Sequence, residues 1–117
     1  LQRSALRAAL EEGGGRSMVG CHVSHAYREG ASLYYTLFAP MTEEGGEEEQ
    51  WERVKRAASE AIVENGGTIS HHHGVGYEHS PWMRREVGEI SLEAIRAVKK
   101  VMDPACILNP GKLIPAR

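Results

Sequence analysis

The residues with the most evident capacity for chemistry are the consecutive imidazoles His71, His72 and His73, set between Thr68-Ile69-Ser70 and the turn Gly74-Val75-Gly76. Histidine titrates near neutral pH and its ring nitrogens donate, accept or bind metal. On an extended segment neighbouring side chains point to opposite sides, so His71 and His73 are expected to face one site while His72 faces away or meets a ligand differently. The glycines on both sides of the run let the backbone approach a planar ligand closely. Three readings stand side by side: packed or surface histidines, acid/base groups against a ligand, and a transition-metal site joined by His22, His25 and His79. Against the metal, none of the spacings is a ligand pattern, and a regular strand puts His22 and His25 on opposite faces unless a bulge intervenes.

Tyr34 is the second candidate. It shares a strand face with Thr36 while Leu33 and Tyr35 share the opposite, apolar face, and a phenol beside a sheet gives or takes a proton if its environment lowers its pKa. The alternative is a half-buried tyrosine that only packs; Tyr27, at the turn, reads as packing or rim. The third candidate is the turn-rich tail Asn109-Pro110-Gly111-Lys112-Leu113, whose amide and cation suit the polar edge of a cofactor.

These residues must be positioned by a small number of elements. Leu6, Ala9 and Leu10 share a helical face over Leu1–Glu12, and Gly13-Gly14-Gly15 stops it. Because this pattern is under way at the first residue, the chain is expected to begin partway through an element. Met18–Tyr27 alternates, with Val19, Cys21, Val23 and His25 on one side, and Ala31–Ala39 alternates again after Arg28-Glu29-Gly30. That predicts an antiparallel hairpin. Pro40–Gln50, rich in Glu and Gly, reads as an exposed loop. Helical spacing returns over Trp51–Glu64 and stops at Asn65-Gly66-Gly67. A short strand, Thr68–Ser70, leads into the histidines, and Met83, Val87, Ile90, Ala94 and Val98 predict one face of a last helix ending near Asp103-Pro104. The plan is α+β, an antiparallel sheet covered by helices.

Composition narrows the classes. In 117 residues, 41% hydrophobic and 26% charged, there is room for one modest domain. No apolar run approaches the roughly 20 residues that span a bilayer. A formal charge of -2 with no basic cluster argues against nucleic acid as a partner. Cys21 and Cys106 match no CxxC pair or disulfide framework and are expected to be reduced and packed.

Three segments in order, Gly66-Gly67-Thr68-Ile69-Ser70-His71-His72-His73-Gly74-Val75-Gly76, Pro81-Trp82-Met83 and Asp103-Pro104-Ala105-Cys106-Ile107-Leu108-Asn109-Pro110-Gly111-Lys112-Leu113, resemble the C-terminal cap region of FAD-linked oxidases of the vanillyl-alcohol-oxidase superfamily. Within it, the triple histidine with Gly-Val-Gly looks like the alkylglycerone-phosphate synthase branch. Tyr27-Arg28-Glu29-Gly30-Ala31-Ser32-Leu33-Tyr34 is similar to the segment carrying that branch's active-site tyrosine, which Tyr34 matches by position. The resemblance runs from about Met18 to Leu113.

The resemblance implies a cap domain, residues 1–102, and a tail, residues 103–117, that returns to an upstream FAD-binding domain holding most of the FAD. It implies an exchange of the acyl group of acyl-dihydroxyacetone phosphate for a fatty alcohol through a flavin adduct, without net redox. Tyr34 would take the proton at the substrate carbon. His71, His72 and His73 would serve the leaving acid and entering alcohol, with His72, His73, Asn109 and Lys112 near the cofactor. The expected partners are a small-molecule or lipid-like substrate and the chain's own upstream domain, with a homodimer also allowed for. The expected location is cytoplasmic, with membrane association open for the parent enzyme. The alternative is an FAD-dependent 2-hydroxyacid dehydrogenase or oxidase of the D-lactate or glycolate oxidase type. In those relatives a glutamate stands at the place of His72 and a histidine at the place of Tyr34, both parts of a metal site. The departure at both positions lowers the case for metal, and none is assigned. No Gly-rich stretch of the chain sits in a strand-turn-helix context that would cradle a pyrophosphate, so the chain alone is expected to be inactive and to bind flavin weakly or not at all.

Overall fold

The computed structural model describes residues 4, 7, 16–41 and 44–115. Of the helix expected over Leu1–Glu12, only Ser4 and Arg7 are described, both helical and exposed; the rest of that expectation lies outside the described residues. The chain divides into two compact units, Leu1–Ala61 and Ile62–Arg117.

In the first unit, β1 (Met18–Ala26) and β2 (Ala31–Phe38) form a two-stranded antiparallel sheet. The turn closes with Tyr27 N–H donating to the Gly30 carbonyl at 2.7 Å. Val19 pairs with Leu37, Cys21 with Tyr35 and Val23 with Leu33, while Gly20, His22 and Ser24 face Thr36, Tyr34 and Ser32. The two expected faces are therefore both present as far as Ser24. There the register shifts between Ser24 and Ala26, leaving His25 as the extra residue of a bulge with φ 46°. The strict alternation that separated His22 from His25 ends at that point.

Helix α1 (Glu47–Glu64) starts four residues earlier than the apolar spacing indicated. Its opening turn is Glu47, Glu48 and Glu49, which carry no apolar signal yet favour a helix N-terminus through its partial positive charge. Val54 from α1 meets Val19 from β1, with Tyr35, Leu37, Ala39 and Ala58 packed around them. Burying each valine contributes about 1.5–3 kcal/mol, and this small core holds the sheet's apolar face against the helix. The molecule is thus α+β, as the pattern of elements predicted. Cys21 and Cys106 are free thiols but exposed, not packed: the core near Cys21 is filled by Val19, Tyr35 and Leu37, and Cys106 sits in the irregular tail.

In the second unit, α1 ends in a double closure. Gly67 N–H donates to the Ile62 carbonyl at 2.9 Å and Gly66 N–H to that of Val63 at 3.1 Å, satisfying two terminal acceptors. Thr68–Ser70 is not a strand, because it finds no ladder partner among the described residues. The Glu86 carboxylate takes its place, accepting from Ile69 N–H at 2.8 Å and from the Thr68 hydroxyl.

A single turn of 3-10 helix, Ser80–Trp82, leads into α2 (Met83–Met102). Gly88 interrupts α2 with φ 78° and ψ 163°, a conformation glycine adopts without a steric penalty. The interruption shifts the helical phase. Leu92, fully buried, joins Met83 and Ile69 in the core with Ile62, Val63, Val75, Trp82 and Val87 around them. Ile90 and Val98, expected on the inner face, are instead 88% and 63% exposed. A spacing of three and four counted through Gly88 could not see this slip.

Candidate functional site

The second unit brings His73, the last residue of the histidine run, and the tail to one cavity of about 550 Å³. Its polar lining includes His73, Asn109, Lys112, Lys99 and Asp103, and its apolar lining includes Val75, Ile95, Val98, Met102, Leu108 and Leu113. Residues 73–76, the C-terminal part of α2 and the tail supply it, and specific contacts hold the tail to the stretch after the histidines. Leu113 N–H donates to the Val75 carbonyl at 2.9 Å. The Tyr77 hydroxyl donates to the Pro110 carbonyl at 3.0 Å, and the Lys112 Nζ lies 3.3 Å from the centre of the Tyr77 ring, close enough for a cation–π attraction.

Asp103 anchors the start of the tail. It is buried, at 5% exposure, and accepts from Lys99 Nζ at 2.6 Å, Ile107 N–H at 3.0 Å and Leu108 N–H at 3.1 Å. Lys99 donates again to the Leu108 carbonyl at 2.7 Å. The Lys99 hydrogen bond, aided by the two amides and the lysine's charge, holds the Asp103 carboxyl below the usual carboxylate range against the opposing effect of burial. Cys106, Asn109 and Leu113 take left-handed conformations, with φ of 54°, 45° and 63°. Such backbone persists only where surrounding contacts over-determine it, and the clasp from Asp103, Tyr77 and Val75 supplies them.

The histidines themselves do not follow strand alternation. The backbone bends through all three, so His71 Nδ1 and His72 Nδ1 come within 3.1 Å of each other and the His72 and His73 rings meet edge to face with centroids 4.2 Å apart. His71 and His72 thus converge where an extended chain would have separated them. All three are exposed, and Ser70 Oγ donating to the Gly74 carbonyl at 2.8 Å ties the two ends of the bend together.

Of the expected site residues, His73, Asn109 and Lys112 line one cavity; His71 and His72 flank it in sequence. Tyr34 belongs to the first unit, on β2, where its ring stacks on that of His22 with centroids 5.0 Å apart and planes 20° from parallel. Sequence reasoning passed over Asp103, Lys99 and Tyr77 as positioning residues. Lysine four residues before aspartate at a helix end was a readable signal, while Tyr77 offered none.

The FAD linked oxidases, C-terminal domain model matches residues 3–113, and the chain belongs to that family. It is 40% identical over 114 residues to an alkyldihydroxyacetonephosphate synthase of Trypanosoma brucei brucei, an alignment covering 97% of this chain and 18% of that protein. A protein of the same description from Dictyostelium discoideum is 43% identical over 94 residues, covering 80% of this chain and 15% of its own length. The glycolate oxidase subunit GlcD of Bacillus subtilis is 38% identical over 68 residues, 56% of this chain and 14% of that protein. The chain therefore spans less than a fifth of the length of each of these three relatives. No helix among the described residues is long and apolar enough to cross a membrane.

Proposed function

We propose that this chain is the C-terminal part of a flavoenzyme that exchanges the acyl group of acyl-dihydroxyacetone phosphate for a fatty alcohol. The observation that carries the reading is the 40% and 43% identity to two alkyldihydroxyacetonephosphate synthases over 97% and 80% of the chain. The exchange is a substitution at one carbon: a fatty acid leaves, an alcohol oxygen enters, and the pair of electrons lost with one bond returns with the other. FAD is the cofactor, held mainly by an upstream domain. The donor set suits it, since Asn109, Lys112 and His73 offer an amide, an ammonium and an imidazole beside an apolar wall, as a flat ring with polar edges requires. When bound, FAD would supply the chemistry of the substitution at the substrate carbon, which these side chains do not carry by themselves.

The chain's own residues handle protons and placement. Tyr34 accepts the proton at the substrate carbon. His71 and His72, whose Nδ1 atoms lie 3.1 Å apart, can share one proton between them and so give it to a leaving carboxylate and take one from an entering alcohol. His72 and His73 also lie along the cofactor edge, with residues 103–117 as the segment that returns to the flavin domain. The isolated chain, on this reading, is inactive. Tyr34→Phe in the full-length enzyme should abolish turnover while flavin content stays normal; near-normal turnover would overturn the assignment.

A second reading, a 2-hydroxyacid dehydrogenase or oxidase, draws support from the similarity to the glycolate oxidase subunit. It predicts net reduction of the flavin by a 2-hydroxy acid, which the substitution does not.

A further inference from the structure

Glu86 is unabsorbed by the reaction proposed above, yet it holds the stretch that leads into the histidines. Among the described residues, no backbone group of Thr68, Ile69 or Ser70 bonds to another backbone group. What fixes this stretch is α2. Met83 and Glu86, three residues apart, are neighbours on one helical face, ahead of the interruption at Gly88. Met83 packs in the core with the Ile69 side chain, and the two Glu86 carboxylate oxygens divide between the Ile69 N–H, at 2.8 Å, and the Thr68 hydroxyl. Residue 69 is thereby pinned twice to α2, by its side chain and by its amide. His71 follows two residues later, at most about 7 Å of extended chain, so a displacement of Ile69 passes to the imidazoles with little slack to absorb it. Contacts within the run, His71 Nδ1 to His72 Nδ1 at 3.1 Å and the His72 ring on that of His73 with centroids 4.2 Å apart, set the rings relative to one another. The placement of the run as a whole is set at its two ends, by Glu86 on Ile69 before it and by Leu113 N–H on the Val75 carbonyl after it. An amide left without its acceptor at a buried residue is costly, and without Glu86 the leading end would shift to find another.

We infer that Glu86 is a positioning residue for the exchange reaction, holding residues 68 and 69 on α2 so that His71 and His72 meet the leaving acid and the entering alcohol in one placement. The inference rests on the roles proposed for those two histidines. It requires an acceptor for the Ile69 N–H and not a proton or a charge at position 86, so glutamine should serve: its carbonyl accepts from Ile69 and its amide N–H donates to the Thr68 hydroxyl oxygen.

The test uses the full-length, flavin-loaded enzyme with Glu86→Ala, Glu86→Gln and Thr68→Val. A reacting group misplaced by about 1 Å costs up to about 100-fold in rate. Glu86→Ala is accordingly expected to lower kcat by about 10- to 100-fold with flavin content and KM close to those of the parent, and Glu86→Gln should recover most of the loss. Ring resonances of isotope-labelled His71 and His72 give a readout apart from turnover: shifted in Glu86→Ala, close to the parent in Glu86→Gln. An unchanged kcat in Glu86→Ala overturns the inference. So does an equal loss in Glu86→Gln, which would assign the effect to the carboxylate's charge or proton, and so do unmoved histidine resonances in Glu86→Ala, which would confine Glu86 to the folding of residues 68 and 69. Thr68→Val removes one of the two bonds and covers the case in which Glu86→Ala does not fold: a smaller fall in kcat with the same resonances shifted is expected, and no change in either overturns the inference. Normal turnover in both His71→Ala and His72→Ala overturns the underlying roles of the histidines, and is distinguishable because position 86 is then untouched.

Discussion

Replacing Gly111 with alanine tests whether the tail is clasped as described. Gly111 has φ +72°, and a Cβ built there would lie 2.5 Å from Tyr77 Cε1. Two costs follow. An L-residue held in the left-handed region costs about 1–2 kcal/mol. The Tyr77 ring must also move, and because it is 62% exposed it can swing away; the cost is then the contacts it gives up and not the overlap. Those are the hydrogen bond to the Pro110 carbonyl, worth about 1 kcal/mol, and the Lys112 ammonium over the ring, worth about 0.5–1 kcal/mol at an exposed site. The sum is about 3 kcal/mol. Tyr77→Ala alone should cost only the second part, about 1.5–2 kcal/mol. In the double variant Gly111→Ala adds only its backbone strain, so the double loss should fall short of the sum of the single losses by about 1.5 kcal/mol. Urea midpoints at matched slopes measure all three, with the exchange rate of the Leu113 amide reporting on the tail itself. Strict additivity, or a cost for Gly111→Ala below about 0.5 kcal/mol, would refute the clasp.

Asp103 gives a pH dependence whose sign is fixed. Its carboxyl is held below the ordinary value of 3.8, so its contribution is complete above that value and is lost as pH falls through the lower folded value. The parent chain should therefore lose stability on acidification below about pH 4, Asp103→Asn should lose less over the same range, and equal acid sensitivity in both would count against the anchor. Tyr34→Phe, in the full-length enzyme, should leave the flavin in place and stop turnover.

Much of the architecture was legible because it rests on periodicity. The hairpin, the helix around Val54 and the helix ending before Pro104 all follow from the spacing of apolar residues, and the motifs from Gly66 to Leu113 pointed to the family that the comparison then matched over residues 3–113. What escaped has a common physical character: single residues that change local geometry without changing the apolar count. Gly88 slips the phase of α2, so Leu92 and not Ile90 reaches the core. His25 forms a bulge where alternation predicted a regular strand. Glu86 satisfies Ile69 by side chain where a ladder was expected. The histidines bend, bringing His71 and His72 together. In the tail, turn residues announced irregular structure, but the partners of Asp103 and Tyr77 depend on where Lys99 and Pro110 come to rest in three dimensions, which no local pattern encodes.

The central claim is that the parent enzyme performs a substitution with FAD and not a dehydrogenation, and the most direct measurement is the visible flavin band of the full-length enzyme under anaerobic conditions. The account predicts that a panel of 2-hydroxy acids leaves the band unchanged, while acyl-dihydroxyacetone phosphate diminishes it and a fatty alcohol added afterwards restores it. Bleaching by any 2-hydroxy acid would contradict the account and identify a hydroxyacid dehydrogenase.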